Sequence, residues 1–140
     1  MLRVSKPNYI YYVVETRHAL SLLVFYSVFL HHKSLNMKLC VVGITGLVGS
    51  ELIKVMNESL LRIDKFIPAA SEKSQDKKVI LRGSEFNVVS PAKACEMKPD
   101  IAIFSAGSSV SKEWAPKFAE NGCYVIDNSS QWRMFDEVPL

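Results

Sequence analysis

Histidine is missing from most of this chain: His18, His31 and His32 are the only three, and none follows residue 32. Cysteine is scarce as well, with Cys40, Cys95 and Cys123 far apart. They form no C-x-x-C pair and have no histidine at ligand spacing, which excludes a zinc cluster and a disulfide framework. Cys40 and Cys123 stand inside apolar runs and read as small buried hydrophobes of a protein kept in a reducing compartment. Charge of one sign is lacking over the long second part. The net charge of +3 resides entirely in residues 1–36, where Arg3, Lys6, Arg17 and Lys33 face Glu15 alone. Beyond residue 36 basic and acidic side chains balance, and no cluster could neutralise a phosphate backbone, so nucleic acid is excluded as a partner. Glycine is sparse too, six in all, yet Gly43, Gly46 and Gly49 crowd into one short stretch.

At 140 residues the chain has the size of one domain with a real core. Its first 36 residues differ from the rest. "ALSLLVFYSVFL" (19–30) is apolar between basic flanks, as in a signal-peptide core or an anchor. It is short for a bilayer span and has no A-x-A-like cleavage site. The expectation is an unrelated leader over 1–36, non-native or hydrophobic and disordered, with Met37 as the native start and a cytoplasmic protein.

From Met37 onward strand and helix patterns alternate. "KLCVVGI" (38–44), "KFIPAAS" (65–71), "DIAIFSAG" (100–107) and "CYVIDNSS" (123–130) are short apolar runs that fit buried strands, with Pro68 pointing to an edge or a distortion. "GSELIKVMNESLL" (49–61) sets Leu52, Val55, Met56 and Leu60 at helical spacing. "AKACEM" (92–97) and "SKEWAPKFAENG" (111–122) read as helices, and "KKVILRGSEFNVVS" (77–90) as a hairpin about Gly83-Ser84. Such alternation implies an α/β fold, a doubly wound, mainly parallel Rossmann-like sheet with helices on both faces. Ligands bind at the carboxyl ends of such strands. Here those ends carry Gly43 to Gly49, Ser71 to Ser74, Ser105 to Ser109 and Asp127 to Ser130.

The glycine crowding then has a physical reading. A strand that turns at once into a helix needs a residue without Cβ at the bend, another where backbone meets a pyrophosphate, and a third where helix packs on strand. The helix amides face the phosphates with the positive end of the dipole. G-x-x-G-x-x-G departs from the G-x-G-x-x-G spacing, and a tight turn without ligand is the plainer alternative, but the preceding strand and following helix favour a dinucleotide-binding domain over 37–140. A free ribose 2′-hydroxyl is usually held by an acidic residue about 20 residues on, a 2′-phosphate by cations and hydroxyls. Ser71, Lys73 and Ser74 favour NADP; Glu72 among them keeps open the reading of a merely solvated loop.

In order, "GITGLVGSELIKVM", "ASEKS", "FSAGSSVSKEWAP" and "DNSSQWRM" resemble the amino-terminal half of the aspartate-semialdehyde dehydrogenase family, over Met37 to Leu140. The resemblance implies an NADP-dependent, phosphate-requiring interconversion of aspartate semialdehyde and aspartyl phosphate, serving lysine, threonine and methionine synthesis, by a homodimer when complete. It implies that Gly43, Thr45, Gly46, Leu47, Val48 and Gly49 line the cofactor phosphates. Ser71, Lys73 and Ser74 would meet the 2′-phosphate, Ser105, Ala106 and Gly107 would border the cofactor, and Arg133 would hold the substrate phosphate. Lys73 stands where the family commonly has Arg, which keeps the charge and loses the bidentate fork. Without the family, Arg133 reads as a surface arginine.

The family's nucleophilic cysteine sits in an Asn-Cys context, followed later by a histidine base, and neither occurs here. No catalytic residue is therefore assigned, and the chain as given is expected to hold cofactor without turnover. A non-catalytic NADP-binding module is the alternative. A nucleotide-sugar epimerase fragment would need a Tyr-x-x-x-Lys pair, which is absent after Met37.

Overall fold

The structure, a computed structural model, describes residues 11–13 and 37–132. The remainder of the leader and Arg133 lie outside the described residues.

Five parallel strands form one sheet in the order β1-β7-β6-β2-β3: β1 (Tyr11–Val13), β2 (Lys38–Val42), β3 (Lys65–Ala69), β6 (Ile101–Phe104) and β7 (Tyr124–Asp127). β1 is drawn from residues 1–36 and pairs with β7 from Tyr11↔Val125 to Val13↔Asp127. Between β3 and β6 the chain makes the hairpin β4 (Lys78–Leu81) and β5 (Ser84–Asn87). Three helices complete the fold: α1 (Leu47–Glu58), α2 (Pro91–Glu96) and α3 (Ser108–Glu120).

Successive strand residues point to opposite faces, and both faces are apolar. Leu39 and Val41 join Ile101, Ile103, Phe66 and Ile126 against Met56 and Leu52 of α1 and Val79 and Leu81 of the hairpin. Cys40 and Val42 join Ala102, Phe104 and Val125 against Ala94 of α2 and Ala115, Phe118 and Ala119 of α3. Phe104 and Phe118 meet edge to face, centroids 5.3 Å apart; such a pair contributes about 0.5–1.5 kcal/mol beyond its area. Helices thus cover both faces, as the alternation predicts.

Several local expectations shift. α1 starts at Leu47 and ends at Glu58, so Leu60 falls beyond the helix and is 97% exposed, and Val55 faces outward. The helix spends its buried positions on Gly49 and Met56 instead. α3 begins at Ser108, three residues before the expected Ser111, and carries Pro116 in its interior. The hairpin turns on Arg82-Gly83, both at positive φ (50° and 77°), one residue earlier than the Gly83-Ser84 pair. Two such residues make the primed turn whose twist suits a two-residue hairpin. Pro68 lies in β3, whose outer neighbour is a single bridge, Ala69↔Val89. That position near the edge tolerates a residue without N–H.

Among the described residues no helix is long and apolar enough to cross a membrane, and no cluster of His, Cys, Asp and Glu could hold a metal ion.

Candidate functional site

β2 is an interior strand, and the chain leaves it toward β3 on one side while β6 on the other side leads on to β7. The two connections therefore diverge above the β2/β6 boundary, which is the switch point where an open α/β sheet leaves a crevice. The loops there touch. Gly43 has φ +89°, and a Cβ on it would lie 2.7 Å from the amide nitrogen of Ala106. At Gly49 a Cβ would collide with the carbonyls of Gly43 and Ile44. Two of the three crowded glycines thus have a steric reason: one lets the loops meet, the other lets α1 pack on the end of β2.

The loop is held from beneath. Gly43 N and Ile44 N donate to Ala69 O at 2.8 and 3.2 Å, and Ser105 N donates to Val42 O at 2.8 Å. The Ser105 hydroxyl donates to Val42 O (3.2 Å) or Gly43 O (3.3 Å). Above this floor, α1 is capped by Gly46 and α3 by Gly107, and neither cap supplies a side-chain hydrogen bond. Neither helix has an acid in its first turn. Two helix N-termini on one rim thus keep amides turned outward with the positive dipole end uncompensated. An anion suits that place.

The residues expected at the site largely assemble. Thr45, Gly46 and Leu47 are exposed on the glycine loop, Val48 is half-buried and Gly49 is buried. Leu47 is 83% exposed, an apolar side chain laid open on the rim. Ser105 and Ala106 are half-buried and Gly107 is exposed. From β3 the short turn Glu72–Ser74 approaches: the Thr45 hydroxyl donates to Ser74 Oγ at 3.4 Å, with Ser74 buried and Ser71 and Lys73 exposed beside it.

Sequence reasoning assigned no role to two positions that organise the rim. The Ala69 carbonyl anchors the glycine loop, and nothing in an alanine signals that. Asp127, fully buried, takes hydrogen bonds from the Ser111 hydroxyl (3.2 Å), Ser129 N (2.7 Å) and Trp132 Nε1 (2.7 Å). A signal for it did exist: Asp127 ends an apolar strand, and Ser111 occupies a buried helical position. The Ser108 and Ser130 hydroxyls pair at 2.9 Å, a second tie between α3 and the segment after β7.

None of the cysteines is poised for chemistry. All three are free and buried. Burial pushes the Cys40 thiol well above its ordinary range, with Cys123 and Cys95 adding to it, and burial does the same to Cys123, helped by Cys95 and Asp100. A thiol in such a setting stays protonated and inert.

The fold and this rim together define a Rossmann-like domain, a parallel α/β sheet with a glycine loop at its switch point. Residues 38–140 match the family described as "Semialdehyde dehydrogenase, NAD binding domain", and the chain belongs to that family. It is 48% identical over 104 residues to the aspartate-semialdehyde dehydrogenase of Aquifex aeolicus, covering 74% of this chain and 31% of that protein. With the Legionella pneumophila enzyme of the same name it shares 41% over 107 residues, 76% of this chain and 31% of the relative. The chain thus spans about a third of the length of the curated relatives it matches. Among solved structures, aspartate semialdehyde dehydrogenase II from Vibrio cholerae, complexed with ASA, superposes with TM-score 0.70 at 34% identity, over 74% of this chain and 34% of that one. The Candida albicans aspartate semialdehyde dehydrogenase with NADP shares the fold, with TM-score 0.56 at 21% identity over 71% of this chain and 31% of that chain.

Proposed function

We propose that this chain is the cofactor-binding part of an NADP-dependent aspartate-semialdehyde dehydrogenase, a cytoplasmic enzyme that is homodimeric when complete and interconverts aspartyl phosphate and aspartate semialdehyde with phosphate. The observation that carries the reading is the close approach of the Gly43 and Ala106 backbones beneath two helix N-termini that have no side-chain cap. That arrangement is a cradle for a pyrophosphate that any Cβ at Gly43 would destroy.

On this reading Gly43, Thr45, Gly46, Leu47, Val48 and Gly49 hold the pyrophosphate, with Leu47 open to an apolar ring face. Ser71, Lys73 and Ser74 receive the ribose 2′-phosphate. Ser105, Ala106 and Gly107 flank the cofactor on the β6 side, and Arg133 meets the substrate phosphate, for which a planar guanidinium is suited. The bound nicotinamide supplies hydride acceptance and donation. The described residues bind and orient it, and their buried cysteines supply no nucleophile.

Lys73 decides between dinucleotides, and calorimetry on the chain with NADP and with NAD tests it. NADP binds more tightly, and Lys73→Glu abolishes or reverses the preference with unfolding stability unchanged. A charge-assisted contact contributes about 1.5–3 kcal/mol, so the NADP affinity falls about tenfold or more. Equal affinities in the unaltered chain would overturn the NADP assignment and leave a plain nicotinamide-dinucleotide domain.

A further inference from the structure

A fully buried carboxylate behind the rim ties two segments that the sequence keeps apart. Asp127 ends β7, and its Oδ1 accepts from Ser111 in α3 and from Ser129 N, while Oδ2 accepts from the Trp132 indole. Ser129 in turn accepts from Gln131 N at 3.2 Å, and Ser130 pairs with Ser108 at the first residue of α3. One side chain therefore fixes the path of 128–132, sets that path against the opening turns of α3, and anchors Trp132, the sequence neighbour of Arg133.

We propose that Asp127 is a positioning residue for the half of the cofactor remote from Lys73. The inference rests on the cofactor reading above. If the 2′-phosphate lies at Lys73 and Ser74, beyond β3, the dinucleotide runs across the switch point toward β6 and β7. Its far half then lies over Gly107, the α3 amides and the segment after β7. Asp127 touches none of these ligand atoms; it holds the groups that do. Three donors converging on one buried carboxylate make the arrangement rigid, since each would be left unsatisfied by a shift.

The test compares two ligands on the full chain: NADP, which crosses the rim, and adenosine 2′,5′-bisphosphate, which stops at the near half. Asp127→Asn keeps the volume and the oxygen toward Ser111 and Ser129, but sets an amide N–H against the indole N–H of Trp132. NADP affinity falls about tenfold, and adenosine 2′,5′-bisphosphate affinity stays within about twofold. Trp132→Phe, which removes one donor and spares the carboxylate, gives the same split at smaller size and serves if Asp127→Asn does not fold. Equal weakening of both ligands, as a general loss of structure would give, or no weakening of either, overturns the proposal. If the unaltered chain binds neither ligand, the cofactor reading itself fails and this inference with it. An unaltered chain that binds both, with variants that bind both equally well, overturns Asp127 alone.

Discussion

The two ends of the sheet treat exposed backbone amides in opposite ways. At the amino end carboxylates close them: Met37 N donates to Asp64 Oδ2 and Lys38 N to Asp100 Oδ2, each at 2.7 Å. Even α2, away from the switch point, has its Ser90 hydroxyl accepting from Lys93 N and Pro91 at its first turn. At the carboxyl end glycine caps α1 and α3, and no acid stands in either first turn. A capping aspartate in place of either glycine would satisfy an amide and add on the order of 0.3 kcal/mol of stability. It would also occupy the place of an anion and repel it. On the proposed reading, α1 and α3 at the carboxyl end go without side-chain caps so that a ligand can supply them.

The strongest way to break that contrast is to fill the cradle. Gly43→Ala places a Cβ against the Ala106 backbone at a φ of +89°, where no flexible side chain can yield. Backbone strain of about 1–2 kcal/mol and overpacking of about 1–3 kcal/mol add. Denaturant unfolding should show about 3 kcal/mol of lost stability, or insoluble protein, together with loss of cofactor binding. An alanine variant with an unchanged midpoint would mean that the loops do not meet as described.

Alkaline titration strikes the amino end next. Cys123 lies there, raised by burial first and then by Cys95 and Asp100, and Cys40 is raised by burial in β2. In the unfolded chain both thiols ionise near their ordinary value of 9.0, while the folded chain keeps its protons. Stability is therefore fully present below about pH 9 and declines as pH rises, by about 1.4 kcal/mol per unit for each thiol. Urea midpoints between about pH 8 and pH 10 should record a loss of about 1–3 kcal/mol, halved by Cys123→Val. A flat profile would show that these thiols are solvated.

Much of this was legible in the chain. The period of apolar residues gave strands and helices in the right order, and the polar segments at the strand ends marked the rim, because a buried parallel strand leaves only its ends free to be polar. Boundaries were less visible. Leu60 matched the α1 period in sequence yet stands in water, since the spacing rule counts residues without knowing where the helix stops. The start of α3 was missed because Ser108-Ser109-Val110 has no helical periodicity of its own. Candidate cofactor residues contiguous in sequence, such as Gly43 to Gly49, are readable from the chain as a glycine-rich strand end. Asp127 shows in the sequence only as the start of a polar strand end and the Ala69 carbonyl not at all, because the contacts each makes arise only when segments far apart in the chain lie side by side.

The smallest effect is the one that separates the two ends most cleanly. Asp100 accepts from Lys38 N through its side chain and returns its own amide to Lys38 O at 2.9 Å, so one residue closes the start of β2. Asp100→Ala removes the carboxylate and leaves the Lys38 amide without that acceptor, in a partly buried place where water can substitute in part. The cost is about 1 kcal/mol of unfolding stability. Because the lost bond lies at the opposite edge from the glycine loops, cofactor affinity should not move. Asp100 also helps to raise Cys123, so in this variant the alkaline decline should begin at the same pH, set by the unfolded thiol, and level off at a lower pH. Calorimetric titration with NADP beside a urea melt reads both quantities on one sample. A fall in NADP affinity beyond about twofold would show that the two ends are coupled through β2, and the division between a capped end and an open end would no longer stand.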